Sequence, residues 1–200
     1  MSQEIIIAKD ENIKGLVSME IQKLGNSADL NHIDVSRVTN FNFLFYESQF
    51  NGDISRWDTS KAEEMCDMFN HAVFNGDISN WDVSNVDSMN FMFYKSKFNG
   101  NISRWDTSKV VSMHSMFKAS IFNKDISNWN VSNVENMDFM FAVSQFNGDI
   151  SDWALNKKLE IDQHLRRVLE NSHDIKRRLE VGSLRMGLFK NEHKATSQSL

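Results

Sequence analysis

Residues 74–97 read FNGDISNWDVSNVDSMNFMFYKSK, and residues 98–121 repeat them as FNGNISRWDTSKVVSMHSMFKASI. Working outward from this pair, Trp57, Trp81, Trp105, Trp129 and Trp153 stand 24 residues apart with no insertion. Each follows a Phe-Asn-x-(Asp/Asn)-Ile-Ser run that begins at Phe50, Phe74, Phe98, Phe122 or Phe146. Ser60, Ser84, Ser108 and Ser132 recur three residues after the Trp, and residues 28–36 fit the same register with Ile33 in the Trp slot. The period spans residues 26–153 as five units and a fragment. A unit of this size cannot bury its apolar face alone, so neighbouring units must stack to make one continuous core.

Within a unit, Val86, Met89, Met92 and Phe93 fall at i, i+3, i+6 and i+7, which predicts a short helix, and the capping-box spacing of Ser84 with Asp87 and Ser60 with Glu63 predicts that the Ser column caps it. The Phe-Asn-Gly-Asp-Ile-Ser-x-Trp run predicts a turn followed by a short strand. The fold class expected is therefore an α/β repeat solenoid, leucine-rich-repeat-like with 24-residue units, closed by helical caps. Residues 1–25 read as an N-terminal capping strand and helix, with Ile13, Leu16, Val17, Ile21 and Leu24 at helical spacing ahead of Gly25. Residues 154–189 read as a basic C-terminal helical cap, and residues 190–200 as a flexible tail.

The consensus D-(V/T)-S-x-V-x-x-M-x-x-M-F-x-x-S-x-F-N-x-D-I-S-x-W resembles the BspA-type, or mycoplasma-lipoprotein-type, leucine-rich repeat. The likeness covers about 128 of the 200 residues. It implies a stacked-repeat fold. It also implies the settings of that family, which are bacterial surface and adhesion proteins and bare arrays of no assigned role.

Composition and columns then narrow the function classes. Eleven Met, 15 Phe and five Trp, with no Pro and one Cys, exclude a disordered chain and an internal disulfide. Eight of the Met and all five Trp occupy repeated positions, which makes them core packing before anything else. The invariant Asn51, Asn75, Asn99, Asn123 and Asn147 read as turn-bonding residues. One acidic column holds Asp53, Asp77, Asp125 and Asp149, and a second holds Asp58, Asp82 and Asp106. One carboxylate per coil is too sparse for calcium, and bonds from Asp to nearby backbone account for both columns, so no metal and no cofactor is expected. Cys66 and His114 share a column two coils apart, about 10 Å at strand spacing, too far for a catalytic dyad. The chain is not expected to be an enzyme.

Positions that break the 24-residue rule carry the functional expectation. A 48-residue super-period places Phe43, Phe91 and Phe139 where the intervening units have Asp67 and Ser115, and Arg56 and Arg104 where they have Asn80 and Asn128. Phe43 with Tyr46 and Phe91 with Tyr94 make two aromatic pairs, the kind of row that captures another protein. Residues 26–153 carry 17 acidic and 9 basic side chains, net −8, while residues 154–200 are net +4, with Arg166, Arg167, Lys176, Arg177 and Arg178 the basic tail. The expected function is a non-catalytic protein–protein interaction module that binds, modulates or inhibits a partner protein. Two alternatives stand beside it: an acidic, DNA-mimicking inhibitor of a DNA-binding or defence protein, and a surface adhesin. Self-association through the C-terminal helices is expected as a second contact; membrane and nucleic acid are not. With no export-type apolar segment near residue 1, a cytoplasmic location is expected, in a bacterial or phage context.

Overall fold

The computed structural model describes residues 4–171. Its regular elements lie at the two ends: strand β1 (Ile6–Ile7), helix α1 (Ile13–Leu24), strand β2 (Ile33–Asp34) and helix α2 (Gln163–Asn171). β1 pairs in parallel with β2, Ile6 opposite Ile33 and Ile7 opposite Asp34. α1 ends at Gly25, whose φ of +92° lies where a Cβ is costly and whose N–H reaches the Ile21 carbonyl. Ile13 and Val17 of α1 are buried against the first unit's core, which includes Leu30 and Ile33.

Between the ends, successive 24-residue coils lie one upon the next. Asn40, Glu64, Ser88, Ser112 and Asn136 form single-residue parallel bridges, each to its equivalent 24 residues on. Around each bridge the amides alternate. Phe41, Phe43, Phe45 and Glu47 donate to the carbonyls of Glu64, Cys66, Met68 and Asn70 in the next coil at 2.8–3.0 Å, while Leu44, Tyr46 and Ser48 donate back within their own coil at 3.1–3.3 Å. Nearly every N–H here has a fixed acceptor, a physical ground for a chain without Pro.

The helix expected in each unit does not form: among the described residues none of 26–153 is helical. Two residues per coil sit in the left-handed region, at Phe43, Asp67, Phe91, Ser115 and Phe139 (φ 54° to 60°) and at Glu47, His71, Lys95, Ala119 and Val143 (φ 50° to 57°). Each interrupts a right-handed helix, so the apolar spacing that looks helical is produced by consecutive tight turns. Of the strand expected across Phe-Asn-Gly-Asp-Ile-Ser-x-Trp, a single parallel bridge between Asp29 and Asp53 forms among the described residues, and the pairing that recurs lies one residue before the first Met of the later units. Nor do the Ser residues cap helices. The N–H groups of Ser36, Ser60, Ser84 and Ser108 instead donate to the carboxylates of Asp34, Asp58, Asp82 and Asp106, two residues back.

The core is a set of ring columns. Phe45, Phe69, Phe93 and Phe117 stack at centroid separations of 5.3–5.6 Å. The Phe50 column opens to 6.2–6.3 Å, and the Trp57–Trp81 and Trp105–Trp129 pairs to 6.2 and 6.4 Å. Coils are thus closest along the bridged edge, where sheet-like spacing is about 4.8 Å, and wider along the Phe50 and Trp edge. Side chains bridge the wider edge. Each of Asn75, Asn99, Asn123 and Asn147 donates its N–H to the Asn side-chain oxygen one coil back at 2.7–3.0 Å. The five Trp indoles donate to Leu30, Ile54, Ile78, Ile102 and Ile126 carbonyls at 3.0–3.1 Å. The Asn ladder is solvent-exposed rather than buried for much of its length, so it serves as an outer seam of the stack.

Candidate binding surface

The left-handed turns decide what this surface displays. Phe is ill suited to φ near +60°, at a cost of about 1–2 kcal/mol, whereas Asp, at position 67 of the same column, tolerates it. Phe43 and Phe139 nonetheless occupy that conformation with 49% and 41% of their surface exposed, and Val143 of the neighbouring left-handed column is 76% exposed. Bulky apolar residues held in a strained conformation and turned in part to solvent gain less from packing than the buried core rings do.

Their rings are joined. Phe43 and Tyr46 lie 6.0 Å apart at 59°, Tyr46 and His71 6.4 Å, His71 and Tyr94 5.2 Å, and Phe91 and Tyr94 5.9 Å at 81°. His114 then stands edge-on to Phe91 at 4.9 Å and to Phe139 at 6.0 Å, and Phe139 meets His164 at 6.0 Å and 48°. One chain of rings therefore runs from the first coil to α2. Lysines lie over it: Lys14 over Phe43 at 5.5 Å, Lys95 over Tyr94 at 5.3 Å, and Lys118 over both Tyr94 at 5.9 Å and Phe139 at 5.0 Å. Beside Phe43 a hydrogen bond to Glu47 pushes the Tyr46 phenol above its ordinary value. Phe91 and Tyr94 are half-buried, and Ser115, between Phe91 and Phe139 in sequence column, is buried with an unpartnered hydroxyl.

The structure brings Phe43, Tyr46, Phe91, Tyr94 and Phe139 together and leaves the two arginine positions out. Arg56 faces Asp29 at 3.4 Å, beside an acidic column, and Arg104 is exposed at the equivalent place 48 residues on. Among the histidines and lysines of the ring chain, His71 and Lys95 share the second left-handed column, Lys118 lies in the Tyr46 and Tyr94 column and His114 in the Cys66 column; no column repeats a histidine or a lysine, so spacing does not mark them.

The acidic columns are occupied with the backbone. Asp53, Asp77, Asp125 and Asp149 accept the N–H of Ser55, Ser79, Ser127 and Ser151 at 2.9 Å. The bonds from Ser55, Ser79 and Ser127 hold the first three carboxyls below the usual range. The Cys66 thiol is pushed up by burial and lies 3.0 Å from the Ser88 hydroxyl, an unreactive setting. Among the described residues no three His, Cys, Asp or Glu side chains gather as a metal set. An open groove along the bridged edge is lined by Thr39, Lys61, Glu63, Asn85, Asp87 and Lys109, of alternating charge. Arg166 and Arg167 are exposed on α2; Lys176, Arg177 and Arg178 lie outside the described residues, as does much of the expected 154–189 cap.

With this geometry in hand, the family model described as "Mycoplasma protein of unknown function, DUF285" matches residues 15–97 and 74–178. The chain belongs to the DUF285 family. The two overlapping matches cover α1 from Gly15 onward, the rings from Phe43 to His164, and α2. No curated protein matches the chain, and no solved structure does. Among the described residues of this DUF285 protein, no helix is long and apolar enough to cross a membrane.

Proposed function

We propose that the stacked coils are a capped solenoid of the leucine-rich-repeat kind, and that it acts as a non-catalytic module binding another protein through the Phe43–Phe139 ring chain. The observation that supports this reading is the strained exposure of Phe43 and Phe139 within an unbroken run of rings. A rigid stack presents such a row without ordering cost on binding, and aromatic anchors dominate interface energetics. The DNA-mimic alternative has less support, because one oxygen of each turn-forming carboxylate is already bonded to its own backbone.

A random-peptide display library selected on the immobilised full chain tests the reading. Binders are expected that are lost on a Phe43→Ser, Phe91→Ser, Phe139→Ser variant whose thermal midpoint is unchanged or raised. Binders indifferent to all three substitutions would overturn it.

A further inference from the structure

The asparagine seam ends at Asn147, and its end is chemically unlike the rest. Phe-Asn-Gly recurs at Asn51-Gly52, Asn75-Gly76, Asn99-Gly100 and Asn147-Gly148, while the unit between the last two carries Asn123-Lys124. In an Asn-Gly pair the following amide nitrogen has no Cβ beside it to hinder its approach to the Asn side-chain carbon. Among the described residues no backbone carbonyl receives the N–H of Gly52, Gly76, Gly100 or Gly148, so these nitrogens are all available.

The ladder separates them. The side-chain oxygens of Asn51, Asn75 and Asn99 each receive the Asn N–H of the next coil, at 2.8, 2.7 and 2.9 Å. Asn123 receives that of Asn147 at 3.0 Å, and there the series stops: among the described residues no amide reaches the Asn147 side chain. Exposure does not make the distinction, since Asn51, Asn75 and Asn147 are all exposed. A side chain pinned through its oxygen keeps one rotamer and must break that bond before its carbon can swing toward its own following amide. Asn147 has no such bond to break.

We infer that Asn147-Gly148 is a site of spontaneous covalent modification, converted to aspartate and isoaspartate ahead of the shielded copies of the same sequence. The Gly148 nitrogen attacks Asn147 Cγ; the N–Cγ bond forms, the Cγ–Nδ2 bond breaks, and ammonia leaves with the amide proton. Water then opens the cyclic succinimide at either carbonyl. Overall a water is consumed and an ammonia released. Either product sets a new carboxylate two residues before Asp149, which already repels Asp125 one coil back, so the change adds like charge to the last coil.

Peptide mapping of the full chain, aged in mildly alkaline buffer, tests this, because Arg56, Lys95 and Arg104 put the Asn-Gly pairs on separate tryptic peptides. Conversion at Asn147 is expected to run roughly fivefold or more ahead of Asn51, Asn75 and Asn99, the factor for having one net hydrogen bond to open first. In denaturant the rates should converge, since the ladder is gone. Gly148→Lys should slow the Asn147 reaction severalfold; a Cβ there would stand 2.7 Å from the Phe146 ring, a crowding that the array already meets at Lys124 beside Phe122. Equal rates in the folded chain, or no conversion at Asn147, overturn the inference. A lead for Asn147 that persists unchanged in denaturant overturns it as well, because sequence context rather than the end of the ladder would then set the order. So does an undiminished rate in Gly148→Lys, which would mean direct hydrolysis of the side-chain amide.

Discussion

The Asp10 carboxylate accepts the backbone N–H of Thr39 at 2.8 Å and its hydroxyl at 2.9 Å, and adds the Asn40 N–H at 3.0 Å. In the next coil the equivalent amides of Glu63 and Glu64 find the Thr39 carbonyl, so Asp10 stands in for the coil that would precede the first. Asp162 does the same at the far end. It lies 24 residues beyond Asp138, and its carboxylate accepts the Phe139 N–H, as the carbonyls of Cys66, Asn90, His114 and Asp138 serve Phe43, Asp67, Phe91 and Ser115. Its other oxygen caps α2 at the His164 and Leu165 amides. A stack needs both ends closed, and here one carboxylate does so at each.

Asp10→Ala should therefore lower the unfolding free energy by about 1–2 kcal/mol, the range for loss of a capping acceptor. Burial raises the Asp10 carboxyl, but the Asn40 and Thr39 bonds outweigh it and hold it below 3.8. Its contribution is thus full above the ordinary carboxyl range and lost as pH falls through the lowered folded value. Urea midpoints of parent and variant should differ at pH 7 and converge toward pH 2; a difference that persists unchanged in acid would refute the charge-based role.

The left-handed column gives a prediction of opposite sign. Phe43→Asn or Phe43→Gly relieves a residue at φ 60° and should stabilise the chain by about 1 kcal/mol. Ser115→Gly should also stabilise, since it removes both a φ of 54° and an unpartnered buried hydroxyl. Calorimetric midpoints decide this. A fall in midpoint at both positions would mean that the conformation is not strained and that the Phe residues are kept for packing. Gain in stability with loss of binding is the pattern expected of a site retained for function.

Much of this was legible in the residues and some was not, for reasons visible at particular positions. Trp105 repeats because its indole must find the Ile78 carbonyl 27 residues back, and Asn99 because its side chain must receive the Asn123 amide; both requirements are periodic, so spacing reveals them. The turns that replace the helix were hidden. Val86, Met89, Met92 and Phe93 point inward equally well from a helix or from tight turns, and Phe91 and Lys95 are not residues that announce φ above zero. Asp67 in the Phe43 column was the available clue. The ring chain was half legible: the super-period marks its Phe members, while His71 and His114 join it from other columns.

The Asn seam predicts a cost that depends on position. Asn99→Ala removes the acceptor of the Asn123 amide from the middle of the stack and should cost about 1 kcal/mol, the net value of one such bond. Asn147→Ala, in the last unit, spares every amide acceptor between earlier coils and should cost less. Matched chemical denaturation of the two variants checks the difference, and equal losses would show that the seam does not couple coils.

The Thr positions of the super-period should be nearly dispensable, which separates them from the Phe positions that share their rhythm. Thr59 and Thr107 are buried, and their hydroxyls donate to the Asp82 and Asn130 carbonyls of the next coil at 2.9 and 3.0 Å. Val83 and Val131 fill the same column without that bond, so the backbone accommodates a methyl there. Thr107→Val should therefore cost no more than about 1 kcal/mol and leave the display-selected binding untouched. Thr107→Ala should cost more, because it also leaves a cavity between coils. If Thr107→Val abolished binding, the 48-residue rhythm would have to be read as one functional unit spanning the core and the ring chain, rather than as a surface device laid over an indifferent stack.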